Sequence, residues 1–115
     1  MLDIDMKFIK GVLVIKLKGV LNGNTSYILE NDFLNIMKKS DVKYVLLNLN
    51  SIKAIDKEGV RSVKKCYYRI LKNGGKFMIY GMDKIFKDDI KNNFNLYQIE
   101  EEKMAYRIAN LWLKS

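Results

Sequence analysis

The residues with the clearest chemical potential lie in the stretch AIDKEGV, from Ala54 to Val60, between a predicted strand and a predicted helix. Asp56 is a natural helix N-cap, because its carboxylate can accept hydrogen bonds from the first backbone N–H groups of the helix. Glu58 would lie in the first turn, where the helix dipole favours negative charge. Glycine at position 59 costs up to about 1 kcal/mol relative to alanine. Gly59 therefore predicts a close approach, either to a neighbouring element or to a docking partner.

The remaining reactive residues do not form a catalytic pattern. The single cysteine, Cys66, has no histidine to activate it, because the chain contains none. Two acidic clusters, Asp88–Asp89 and Glu100–Glu102, lack the spacing of a metal motif. The glycine-containing stretches GVLNGN and NGGKF lack the spacing of phosphate-binding loops. We therefore expect no enzymatic activity, no metal and no cofactor, although carboxylates distant in sequence could still meet in space.

Length and composition predict one globular domain over residues 1–115, and the alternation of strands and helices described below makes its class α/β. The longest apolar run, YVLLNL, is far shorter than the roughly 20 residues that span a bilayer. The first residues, MLDIDMKF, lack the pattern of a secretory signal, so we expect a soluble cytoplasmic protein. The net charge of +8 leaves a basic nucleic-acid-binding domain as an alternative. Because the lysines and arginines are spread over the whole chain, nucleic acid is not the expected partner.

Periodicity predicts the order β-β-α-β-α-β-α-(β)-α. The segment MKFIKGVLVIKLKG predicts two strands joined by a tight turn at Lys10–Gly11. The segment KYVLLNLN predicts a central strand covered on both faces, and KFMIYGM predicts another strand. Strands that alternate with helices favour a mainly parallel sheet, to which the opening hairpin adds one antiparallel pair.

Four helices are predicted. The first runs from Asn24 or Thr25 to about Lys39–Ser40, and the second from Lys57 to Lys72, where the sequence NGG ends it. Two further helices are predicted in DKIFKDDIKNNF and EEKMAYRIANLWLK, with a weak strand LYQIE between them. The inward positions of the first two helices are predicted to be Ile28, Leu29, Phe33, Ile36, Met37, Val60, Val63, Tyr67, Ile70 and Leu71.

Basic residues and one tyrosine recur at three- to four-residue spacing along the second helix. We call them the ridge, which comprises Lys57, Arg61, Lys64 or Lys65, Tyr68 and Lys72. The ridge starts beyond the carboxyl end of a strand, where partners commonly bind parallel sheets. It could dock an acidic partner, with Tyr68 as an anchor. An ordinary solvated helix face explains the same spacing, and both interpretations stay open.

Several motifs, in this order, resemble those of the STAS domain, the family of anti-sigma factor antagonists. Gly19-Val20-Leu21-Asn22 resembles the family's turn after an early strand, and VLLNLNSI resembles its next strand, with Asn48 where aspartate is usual. DKEG, from Asp56 to Gly59, is similar to the signature Asp-Ser-Ser-Gly. KNGGKFMIYGM and NNFNLYQIEEEKMAYRIA resemble the later motifs, so the resemblance covers essentially the whole chain.

The resemblance implies a single STAS-like domain, with a four- to five-stranded mixed sheet and about four helices mostly on one side. It also implies a protein partner, an anti-sigma factor that is also a serine kinase, or another signalling protein. The residues implied in partner binding are Asn22, Asn24, Thr25, Ser26, Asp56, Lys57, Glu58, Gly59, Arg61, Lys65 and Tyr68.

This chain departs from the family at the serine that the kinase phosphorylates. Glu58 occupies that position, so the phosphoacceptor hydroxyl is absent and one permanent negative charge replaces it. Ser51, Thr25, Ser26 and Ser62 remain alternative acceptors. A structural role in a larger signalling or lipid-transport assembly is the second interpretation.

Overall fold

A computed structural model describes residues 1–81, Gln98–Ile99 and Arg107. The elements follow in the order β1 (Leu2–Ile9), β2 (Val12–Leu21), α1 (Ser26–Lys39), β3 (Tyr44–Ile55), α2 (Lys57–Lys72), β4 (Lys76–Tyr80) and β5 (Gln98–Ile99).

The five strands form one mixed sheet in the order β1-β2-β3-β4-β5. Strand β1 pairs antiparallel with β2, and the other pairs are parallel. Lys10 and Gly11 connect the first two strands with φ angles of 51° and 86°. These left-handed conformations match the right-handed twist of a two-residue hairpin. The predicted mixed, mainly parallel sheet and its opening hairpin are confirmed.

The main core lies between one face of the sheet and the two helices. Phe33 of α1 and Val63 and Ile70 of α2 are almost completely buried in this cluster, together with Leu47 of β3. On the other face, a second buried cluster contains Val12, Val14, Leu46, Met78 and Tyr80. The middle of β3 is therefore covered on both faces, as its apolar run predicts.

Three features differ from the sequence-based expectations or extend them. Strand β3 runs on to Ile55 instead of ending at Asn50, because a shift in the β2–β3 register lets Ile52 return to the core. Leu71 was expected to point inward but is 43% exposed, because it lies at the edge of the buried stripe that runs through Val63, Cys66 and Ile70. The weak predicted strand is represented by β5.

Of the four predicted helices, α1 and α2 fall in the described part of the chain, and they share one core cluster with one face of the sheet. Apart from Arg107, the two helices predicted at 83–94 and 101–114 lie outside the described residues. Two of the roughly four expected helices are therefore seen in the described part of the chain.

Candidate functional site

The Asp56 side chain connects two loops that are far apart in sequence. One carboxylate oxygen accepts a hydrogen bond from the Gly59 N–H at 2.8 Å, and this bond caps α2 as predicted. The other oxygen accepts a hydrogen bond from the Gly23 N–H at 3.2 Å. The Asp56 N–H in turn donates to the Leu21 carbonyl at 3.2 Å. A single residue thereby holds the start of α2 against the loop that follows β2.

Gly59 is buried beneath this joint. A Cβ atom at this position would overlap the carbonyl oxygen of Leu21 and lie 2.8 Å from Cγ1 of Ile55. Only glycine lets the first turn of α2 approach the end of β2 this closely. Of the two interpretations that the sequence allowed, the structure therefore shows close approach to a neighbouring element.

The loop at residues 22–26 is held by its own hydrogen bonds. The Thr25 hydroxyl donates to the Val20 carbonyl at 2.8 Å and accepts from the Asn22 N–H at 2.9 Å. The Asn22 side chain accepts from the Asn24 N–H at 2.9 Å. Thr25 is the N-cap residue of α1, in the range predicted for the helix start, and is buried. Gly23 and Asn24 are exposed at the tip of this ordered loop.

Glu58 lies at the surface between the two loops. Its Cγ atom is 3.6 Å from the position that a Cβ on Gly23 would occupy, so the side chain borders the first loop. Its carboxylate forms an ion pair with Arg61 at 3.0 Å. The side chains of Glu58 and Arg61 are 49% and 63% exposed, so this pair contributes little to stability. The residue that the sequence resemblance predicts at the phosphoacceptor position is therefore a solvent-accessible charge.

The ridge along α2 is exposed at Lys57, Arg61, Lys65, Tyr68 and Lys72, whereas Lys64 is half-buried. Of the two alternatives Lys64 and Lys65, it is therefore Lys65 that belongs to the ridge. Its Nζ also forms an ion pair with Glu30 of α1 at 2.7 Å. Sequence reasoning missed Glu30, because nothing in the helical spacing of α1 shows which residue of α2 it faces. A groove of about 390 Å³ between the two helices begins beside this pair and includes Tyr68.

The hydroxyl groups considered as alternative phosphoacceptors differ in accessibility. Ser62 is buried and donates to the Gly59 carbonyl at 2.7 Å, and the buried Thr25 hydroxyl is engaged as described above. Ser26 is half-buried and Ser51 is exposed. Ser51 is therefore the most solvent-accessible of the four, although it lies within strand β3 and pairs with Lys18 of β2.

Burial removes the reactivity of the only thiol. Desolvation in the core raises the pKa of Cys66 to about 12, so the thiol is protonated at neutral pH. Within the described residues, no group of three histidine, cysteine, aspartate or glutamate side chains is placed to hold a metal ion. No helix in that same part of the chain is long and apolar enough to span a membrane.

Solved structures with this fold include regulators and a transporter-family protein. The chain is similar to a serine-to-glutamate variant of RsbS from Moorella thermoacetica, with a TM-score of 0.82, 8% identity, and coverage of 97% of this chain and 98% of the other. It is also similar to an anti-sigma factor antagonist from Mycobacterium paratuberculosis, with a TM-score of 0.81, 14% identity, and coverage of 94% and 93%. A sulfate transporter family protein from Wolinella succinogenes matches with a TM-score of 0.74, 13% identity, and coverage of 95% and 93%.

At these identities the structural similarities establish the fold. The family is established by the sequence profile of the STAS domain, which matches residues 3–105, nearly the whole chain. The match includes the joint at Asp56–Gly59, both helices α1 and α2, and the loop between β2 and α1. This chain belongs to the STAS domain family.

Proposed function

We propose that this chain is a non-enzymatic regulatory module of the anti-sigma factor antagonist type, which binds a protein partner through the start of α2. The partner is an anti-sigma factor or another signalling protein. The observation that carries the proposal is the Asp56 carboxylate, which joins the loop at 22–26 to the first turn of α2. Two segments singled out separately in the sequence thereby become one continuous surface, here called the recognition surface.

The proposed roles divide by exposure. Thr25 and Gly59 are buried, so they position the loops and do not contact the partner directly. Asp56 and Asn22 orient the backbone of the two loops through their hydrogen bonds. The proposed contacts are made by the more accessible members, which are Asn24, Ser26, Lys57, Glu58, Arg61, Lys65 and Tyr68.

Tyr68 is the natural anchor of such a contact. Its side chain is 60% exposed, and it stands at the mouth of the groove between α1 and α2. The ring also lies 5.2 Å from the ring of Tyr67, which limits its freedom in the unbound state. Large aromatic residues that lose little conformational entropy on binding commonly dominate interface energetics.

Ion pairs within the chain moderate the attraction for an acidic partner. Arg61 and Lys65 are both exposed, yet each already contacts a carboxylate, Glu58 and Glu30 respectively. An acidic group on the partner would have to share or replace these contacts. Binding through these residues is therefore expected to weaken with salt.

Control of this module cannot use a serine at position 58. Glu58 carries one fixed negative charge, whereas a phosphoserine would add close to two and could be removed. We propose that the module is regulated by its abundance, by competition for the partner, or by modification elsewhere.

The test begins with affinity purification from the native cell and continues with titration of the purified partner. Glu58→Lys combined with Arg61→Glu inverts both charges of the exposed pair and is expected to weaken binding at least tenfold. Asp41→Lys is the control, because the Asp41 side chain is also exposed, at 79%, but precedes β3 at the opposite end of the strand. If the double variant binds as tightly as the wild type, the recognition surface is wrong.

A role as a STAS subunit of a larger assembly, such as a lipid-transport complex, is the second candidate. It draws support from the occurrence of the fold in a sulfate transporter family protein. Purification of a transporter subunit in place of a regulatory protein would favour it. The third candidate function is that of a basic nucleic-acid-binding domain, which predicts salt-dependent retention on heparin. If the protein binds no DNA or RNA at low salt, this candidate is excluded.

A further inference from the structure

The outer edge of β1 is long and regular. Its eight residues pair with β2 in an unbroken register, without a bulge, and the chain contains no proline to interrupt the edge. Within the described residues, no strand pairs with the outer side of β1. Such an edge offers unpaired N–H and C=O groups to another strand.

The hairpin determines which backbone groups face outward. The two-residue turn makes Ile9 and Val12 a hydrogen-bonded pair, and hydrogen-bonded pairs then alternate with non-hydrogen-bonded pairs along the ladder. The Val20 N–H donates to the Met1 carbonyl at 3.1 Å, which fits the same alternation. The N–H and C=O groups of Ile4, Met6 and Phe8 therefore point away from β2.

The side chains of β1 separate by chemistry between the two faces of the sheet. Ile4 and Met6 pack partly against the main core, and Phe8, on the same face, is 45% exposed. Asp5 and Lys7 lie on the opposite face, where both are exposed and 3.9 Å apart. A partner strand that suits this edge needs apolar residues on one face and charges of opposite sign on the other.

We infer that the partner is a second copy of β1, paired antiparallel about a two-fold axis at Met6. Each outward-facing residue then meets an outward-facing residue, with Ile4 opposite Phe8 of the second copy and Met6 opposite its counterpart. On the other face, Asp5 lies opposite Lys7 of the second copy, and this contact occurs twice. Both the apolar pairs and the opposite-charge pairs are favourable cross-strand contacts.

Charge selects this register over its neighbours. A shift by one residue would place outward-facing groups against inward-facing ones, so only shifts of two residues preserve the ladder. Moving the two-fold axis by one residue shifts the two strands by two residues relative to each other. Centring the axis on Asp5 would therefore preserve the ladder but place two carboxylates directly opposite each other. Centring it on Lys7 would do the same with two ammonium groups. The Met6 register is the one of these three without a like-charge pair.

The resulting dimer would have a continuous sheet formed by both protomers. Because the pairing is antiparallel, the two recognition surfaces would lie at opposite ends of this sheet, and each would stay open to its own partner. The inference is independent of the proposed function, since β1 contains none of the proposed contact residues.

Cysteine cross-linking tests the register directly. Met6→Cys is expected to form a disulfide-linked dimer under mild oxidation, because opposed residues of an antiparallel pair are about 5.5 Å apart at Cα. Asp5→Cys is the control: in the same register its copies are roughly 8 Å apart, beyond disulfide reach. The buried native Cys66 is not expected to react. Preferential cross-linking of Asp5→Cys, or of neither variant, would overturn the inference.

Charge exchange at exposed positions provides a second test that leaves the core intact. Asp5→Lys and Lys7→Asp are each expected to weaken dimerisation about tenfold in sedimentation experiments, because like charges would face each other. The double exchange should restore it, since the opposite-charge pairs are recovered. A wild-type protein that remains monomeric at high concentration, or a dimer that neither single variant weakens, would contradict the inference.

Discussion

The two ends of α2 solve the same packing problem with different chemistry. At the start, Gly59 lies against the Leu21 carbonyl, and just beyond the end, Gly75 lies against the Lys43 carbonyl. At both places an added Cβ would overlap a backbone oxygen. The end is closed mainly by backbone bonds, including Gly75 N–H to the Ile70 carbonyl at 2.9 Å, with Gly74 at a φ of 76°.

The start of α2 carries more than packing requires. It uses both oxygens of Asp56 to hold two loops, and it places Glu58 and Arg61 at the surface beside them. At the end, one side-chain bond, from Lys43 Nζ to the Asn73 carbonyl at 2.6 Å, supplements the backbone. The shared glycine contact is a requirement of the fold, whereas the added charges are what distinguish a recognition surface.

The largest expected effects come from the two glycines. Gly59→Ala and Gly75→Ala should each lower the free energy of unfolding by about 1–3 kcal/mol, because the new methyl group overlaps a carbonyl. Urea denaturation measures both. Without urea, and under conditions in which both variants are folded, partner binding should weaken for Gly59→Ala and not for Gly75→Ala. A loss below about 0.5 kcal/mol at either position would mean that the close approach is not a constraint.

Removal of the Asp56 carboxylate should have the next largest effect. Asp56→Ala loses the bonds to Gly59 and Gly23 and should lower stability by about 1–2 kcal/mol. Asp56→Asn has one acceptor oxygen for these two donors and should fall between alanine and the wild type. Equal stabilities of Asp56→Asn and the wild type would show that the bridge to Gly23 contributes nothing.

Cys66, in the middle of α2, gives a pH-dependent control that involves neither end. Its pKa is raised from 9.0 to about 12 in the folded state, so folding stability should fall as pH rises from 9 towards 12. By pH 10 the loss should be about 1 kcal/mol. Cys66→Ala should lose this component, and the difference between the two pH profiles isolates it from other titrating groups. Parallel profiles would contradict the assignment.

The smallest stability effect is expected for the exposed ion pair. Glu58→Gln should change the free energy of unfolding by less than about 0.5 kcal/mol, because both side chains are well exposed. The same substitution should still alter partner binding measurably, and thermal denaturation and titration can be performed on one sample. A large loss of stability with unchanged partner binding would show that Glu58 stabilises the fold and does not contact the partner.

Local sequence rules predicted the boundaries of α2 and the cap at Asp56, because both depend on neighbouring residues. They could not decide what Gly59 approaches, since the Leu21 carbonyl is brought to it by the β2–β3 pairing. The bond from Gly23 and the Lys65–Glu30 pair likewise depend on tertiary placement. Leu71 was misassigned because it lies at the edge of the apolar stripe, whose buried centre runs through Ile70, and helical spacing alone does not show where burial stops.

The most direct test is to map amide chemical-shift changes in isotope-labelled protein as the purified partner is added. We expect the changes to cluster at residues 22–26 and 56–61 and along the exposed face of α2 as far as Tyr68. Residues 73–76, at the other end of the helix, should remain unchanged. Changes centred on residues 73–76, with none at residues 22–26 and 56–61, would contradict the proposal that the start of α2 is the recognition surface.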